Sequence, residues 1–124
     1  MASVKDFREL RVYRNGFDAS MAVFKMTTSW PADERYSLTS QIRRSSRSVC
    51  ANIAEAWRKR RYEAAFVSKL SDADSEAAET QVWLEFALAC GYIGKREFQE
   101  LTRAYDLACG QLVRMMQQSR QWCS

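Results

Sequence analysis

The chain has 124 residues, with 19 Lys and Arg against 15 Asp and Glu, no histidine, a net charge of +4 and 47% apolar residues. That is the composition of a folded chain, long enough to bury a sizeable core as one domain expected to span residues 1–124. Four glycines and a single proline, Pro31, give too little turn punctuation for an all-β fold. The missing histidine removes Ser-His and Cys-His catalysis and every His-containing zinc site.

Cys50, Cys90, Cys109 and Cys123 form no CxxC pair, so zinc and redox chemistry lack their local geometry. A secreted two-disulfide scaffold fits the count but not the long, loop-poor chain. The opening MASVKDFREL has no apolar core of a signal peptide, and no run approaches the ~18 apolar residues of a membrane span. The expectation is a reduced, cytoplasmic protein with no membrane span, metal or cofactor.

Periodicity predicts four helices. The first runs over about 4–29, with Leu10, Tyr13, Phe17, Met21 and Phe24 at three- and four-residue steps as its expected core stripe, and stops at Trp30-Pro31. The second, about 33–60, has Asp33 or Ser37 as candidate caps and buries Leu38, Ile42, Val49, Ile53 and Trp57. The third, about 62–90, buries Phe66, Leu70, Ala73, Ala77, Leu84 and Leu88 before Gly91 ends it. The fourth, about 95–118, carries Phe98, Leu101, Tyr105, Ala108, Leu112 and Met115 and tolerates Gly110. Residues 119–124 are expected to fray. Short connections between long helices predict an all-α, up-down-up-down antiparallel four-helix bundle.

Two surfaces depart from the ordinary. At about 100° per residue, Arg43, Arg44, Arg47 and Arg58 lie opposite the apolar face of the second helix, and Lys59, Arg60 and Arg61 extend the positive patch. Arg35 lies just before it. Three readings stay open: a solvated face, pairing with the acidic third helix through Glu63, Asp72, Asp74, Glu76 and Glu79, or a phosphate-binding footprint. In the third helix, Val82 and Phe86, flanked by Trp83 and Cys90, project away from the core stripe. A helix apolar all round asks for a second burial partner, so these four are the expected oligomer interface.

Chemistry for catalysis is sparse. Asp72, Glu76 and Glu79 cluster on a helix surface without a partner, and a di-iron bundle would need Glu-x-x-His motifs. Asn52 and Glu55 project away from the core, and no glycine-rich phosphate loop occurs. No enzymatic activity is expected; a site completed only between subunits is the residual enzymatic reading.

The stretch DERYSLTSQIRRSSRSVCANIAE, Asp33 to Glu55, resembles a family of small four-helix-bundle proteins encoded in intervening sequences of bacterial large-subunit ribosomal RNA genes. The family pattern reads ERYGLTSQ-(I/L)-RRA, then SVPSNIAEG. Glu34, Arg35, Tyr36, Leu38 through Gln41, Arg43, Arg44, Ser48, Val49 and Asn52 through Glu55 match it. Glu79-Thr80-Gln81 and Gly91-Tyr92-Ile93 match further segments, and the resemblance extends over roughly Asp6 to Met116. Cys50 replaces the usual Pro and Ala56 the usual Gly, which favours an uninterrupted second helix. The resemblance implies a homopentamer and kinship with accessory proteins of diversity-generating retroelements, which bind a reverse transcriptase and nucleic acid. Carried over by residue, nucleic-acid binding rests on Arg43 and Arg44; Arg47, Arg58, Lys59, Arg60 and Arg61 come from the helical projection. The leading expectation is a non-enzymatic scaffold that binds RNA or DNA. The alternative is a homo-oligomeric protein-protein adaptor whose basic stripe is consumed in subunit contacts.

Overall fold

Helix dominates residues 4–124, the part of the chain that the computed structural model describes. Four long helices, α1 (Arg11–Thr27), α2 (Leu38–Arg58), α3 (Glu63–Ala89) and α4 (Lys95–Gln117), precede a short α5 (Ser119–Cys123), with no strand among the described residues. α1 packs on α2 and α4, and α3 packs on the same two helices, so the four close into a ring with α1 and α3 on one diagonal.

Cross-helix bonds give the directions. Ser45 and Arg44 of α2 meet Thr80 and Glu76 of α3, whereas the later Glu55 meets the earlier Lys69. Thr27 of α1 bonds Arg43, and the earlier Ser20 bonds the later Ser46. Each adjacent pair seen this way runs antiparallel. The expected all-α bundle is what forms.

Local chemistry sets the ends. α1 begins at Arg11 rather than near Val4, because the Asp6 carboxylate accepts the Arg8 N–H at 2.8 Å. That bond caps a 3-10 turn over Phe7–Glu9, which the Glu9 N–H closes on the Asp6 carbonyl at 3.0 Å, and Leu10 then takes an extended backbone. Neither Asp33 nor Ser37 supplies the side-chain cap of α2; Glu34, in a 3-10 turn over Ala32–Glu34, accepts the Leu38 N–H at 3.2 Å. α3 ends as expected. Gly91 has φ +77°, its N–H reaches the Leu88 carbonyl at 3.0 Å, and the Tyr92 N–H reaches the Ala87 carbonyl at 2.9 Å. These are the two hydrogen bonds of a Schellman cap.

Two further expectations fail. Residues 119–124 do not fray, because Trp122 packs edge-on against Trp57 at 6.1 Å between ring centroids and Ser119 Oγ donates to Glu63 at 2.6 Å. The core stripe of α1 is also not the aromatic one. Val12, Gly16, Ala19, Ser20, Val23 and Met26 are buried, while Phe17, Met21 and Phe24 are 49%, 43% and 38% exposed. Small residues win because α2 lies close: a Cβ on Gly16 would meet Cys50 Sγ at 3.4 Å and Val49 Cγ1 at 3.6 Å. In α2 the predicted Leu38, Ile42, Val49, Ile53 and Trp57 are all buried. So are the predicted core residues of α3 and α4, except the half-buried Leu88 and Phe98.

Candidate nucleic-acid interface

The outer face of α2 divides into two basic regions instead of one stripe. The first is an open groove of about 540 Å³ whose basic lining is Arg35, Arg43, Arg44 and Arg47. Its remaining lining is Tyr36, Thr39, Ser40, Ser48 and Ala51, so hydroxyls surround the guanidinium groups and no carboxylate enters the lining. The second lies at the end of α2, where Arg58, Arg60 and Arg61 join Lys5 and Arg8 around Trp57 and Phe7, with Asp6 as the acidic member, in a cleft of about 440 Å³. At 1.5 Å per residue the two regions are separated by about 20 Å along the helix.

The arginines are not equivalent. Arg44 leans onto α3, bonding Glu76 Oε1 at 3.1 Å and also pairing with Glu79. The hydrogen bond to Glu76 comes first among the influences that raise its pKa above the ordinary arginine value. Pairing with the acidic third helix therefore describes Arg44. Arg43 leans the other way: its Nε donates to Thr27 Oγ1 at 2.8 Å and its guanidinium lies 4.9 Å from the Phe24 ring centroid. Arg47 approaches the same ring at 6.0 Å. Neither Arg35 nor Arg47 has a carboxylate partner among the described residues. In the second region Arg60 stacks on Trp57 at 3.5 Å and donates through Nε to the Trp57 carbonyl, while Arg58, Lys59 and Arg61 stay exposed.

Stacking and tethering hold planar cations in fixed positions, which lowers the rotamer entropy lost when an anion binds. Tyr36, Thr39 and Ser40 line the groove without carrying charge, so a reading of the basic residues alone passes over them. Their spacing to Arg43 and Arg47, at three- and four-residue steps, was the available signal. On α3, Val82 and Phe86 are 45% and 55% exposed, Trp83 is half-buried beside Phe86, and Cys90 is exposed. Asp72, Glu76 and Glu79 do not gather into a pocket: Glu76 and Glu79 hold Arg44, and Asp72 faces Lys69. No cluster of three or more metal-ligating side chains occurs among the described residues, and no helix there is long and apolar enough to cross a membrane.

A four-helix bundle with a guanidinium-lined groove on its second helix is the class these features define. The chain belongs to the 23S rRNA-intervening sequence protein family, matching it over residues 8–115. A solved relative in fold is a protein with unknown function from the S23 ribosomal protein family of Bacteroides thetaiotaomicron. The two are 24% identical with a TM-score of 0.78, over 86% of this chain and 95% of that one. No functionally curated protein matches the chain.

Proposed function

We propose that this chain is a non-enzymatic, cytoplasmic scaffold, assembling as a homo-oligomer of the five copies its family resemblance implies, that holds the phosphate backbone of RNA or DNA against α2. One observation carries the reading. A groove of about 540 Å³ along α2 presents four guanidinium groups among hydroxyls, with no carboxylate in its lining. Clustered cations of that kind release counterions from a nucleic-acid backbone, giving affinity without base specificity. Several copies would multiply the effect.

Fluorescence anisotropy of labelled structured RNA and duplex DNA across a salt series tests it. Affinity should fall steeply with salt, and Arg35→Glu with Arg47→Glu should abolish binding while light scattering shows an unchanged assembly. Those two positions are chosen because neither holds the bundle together through an ion pair. No binding at low salt by an intact assembly would leave the protein-protein adaptor as the reading.

A further inference from the structure

Among the described residues, α1 and α3 each carry an exposed apolar stripe on opposite sides of the bundle, whereas Leu107 and Val113 of α4 are exposed singly. On α1, Phe17, Met21 and Phe24 continue from the half-buried Tyr13. On α3, Val82 and Phe86 lie between the exposed Ala78 and Ala89. α1 and α3 occupy one diagonal of the ring and do not pack on each other, so neither surface can cover the other within a chain. We infer that the α1 stripe of one copy docks on the α3 patch of the next, a head-to-tail contact between second copies of this chain. The inference rests on the proposed self-association and names its surfaces.

Three features select a second copy as the occupant. The spans agree: Tyr13 to Phe24 and Ala78 to Ala89 each cover about 17 Å at 1.5 Å per residue. The charges are complementary. The α1 stripe is edged by Arg14 and Lys25, with Asp18 as its one carboxylate, and by Arg43 held over Phe24. From Leu70 to Ala89, α3 carries no Lys or Arg; Glu76 and Glu79 are shared with Arg44 and Asp72 with Lys69, which leaves Asp74 and Glu85 as carboxylates without a cationic partner among the described residues. The α3 side also offers a receiving hollow. A groove of about 470 Å³ lies between the start of α2 and the end of α3, where Tyr36, Leu38, Trp83, Phe86 and Cys90 form much of its wall. An aromatic ring entering such a groove is the usual form of an interface anchor. Because the two surfaces differ, the contact is heterologous, and repetition closes a ring or grows a filament.

The test uses two variants and their mixture. Phe17→Asp spoils the α1 stripe and leaves the α3 patch; Phe86→Asp does the reverse. Both positions are exposed, and circular dichroism should report full helicity; Met21→Asp and Val82→Asp serve as a second pair. Light scattering at a concentration where the wild type is fully assembled should show each variant as a monomer. An equimolar mixture should form a one-to-one dimer, since one good α1 stripe and one good α3 patch remain. A variant that stays dimeric alone, or a mixture that stays monomeric, would overturn the pairing. A wild type that is itself monomeric would overturn both this inference and the proposed self-association, whereas an assembled wild type with unaffected variants would overturn this inference alone.

Discussion

At Gly91 the backbone takes φ +77°, a conformation that costs an L side chain about 1 kcal/mol or more, while Gly110 lies in the regular helix of α4. A Cβ would meet nothing within 4 Å at either position, so backbone geometry alone separates them. Gly91→Ala should therefore destabilise the bundle by about 1 kcal/mol, and Gly110→Ala should stabilise it by about the same amount. Urea denaturation of the two variants beside the wild type reads both signs. Tyr92, the residue after Gly91, donates its hydroxyl to Glu34 at 2.7 Å. That bond, aided by the Leu38 N–H, holds the Glu34 carboxyl below its ordinary value of 4.5 and pushes the Tyr92 phenol up to about 12. A depressed carboxyl contributes stability above its unfolded value and loses it as pH falls through the folded one; a raised phenol contributes below its unfolded value of 10.0 and loses it as pH rises through about 12. The stability advantage of the wild type over Tyr92→Phe should accordingly be flat between those limits and shrink at both, as thermal melts across pH would show. A pH-independent difference would mean that the bond does not link the two groups.

Element by element, legibility followed how far the deciding neighbour lay from the residue it decided. The core stripe of α2 was readable because Leu38 to Trp57 is unambiguous, but its start was not: the helix expected from about residue 33 begins at Leu38, after a 3-10 turn over Ala32–Glu34. α1 carries two stripes at helical spacing, and size favoured Tyr13, Phe17, Met21 and Phe24. The choice fell to Gly16, Ala19 and Ser20 because their small side chains admit α2, a fact that belongs to the pair of helices and not to either alone. The second face of α3 was legible, since Val82 and Phe86 have no place on the Leu70 to Leu84 core stripe. The split of the basic stripe was not: Arg44 and its acidic partners are 32 and 35 residues apart in sequence. That split is testable. Arg44 is half-exposed, so Arg44→Gln should cost less than about 1 kcal/mol and scarcely alter nucleic-acid affinity. Arg47→Gln should leave stability unchanged and reduce the salt slope by about one. Equal effects on binding would put both arginines on the phosphate.

For the whole molecule, charge and assembly act together. A net charge of +4 spread over 124 residues is modest, and the guanidinium groups matter because Arg43, Arg44 and Arg47 of α2 and Arg35 just before it are concentrated in one groove. One copy offers a groove with four arginines, of which Arg44 is already paired, so a lone chain reaches few phosphates. Affinity then depends on how many copies engage one strand, because each added groove binds at the effective concentration set by the assembly. A charge-neutral double change, Val82→Gln with Phe86→Gln, separates assembly from electrostatics: it removes exposed apolar surface from α3 without touching any basic residue. The variant should bind long RNA about 100-fold or more weaker than the wild type. Its log affinity should also fall less steeply with log salt, by about 0.7 to 0.9 for each phosphate that the dispersed chains no longer neutralise. A short oligonucleotide that spans a single groove should bind the variant and the wild type alike. Equal affinity of the two for long RNA would show instead that each chain binds independently, and the positive charge on α2 would then act one copy at a time.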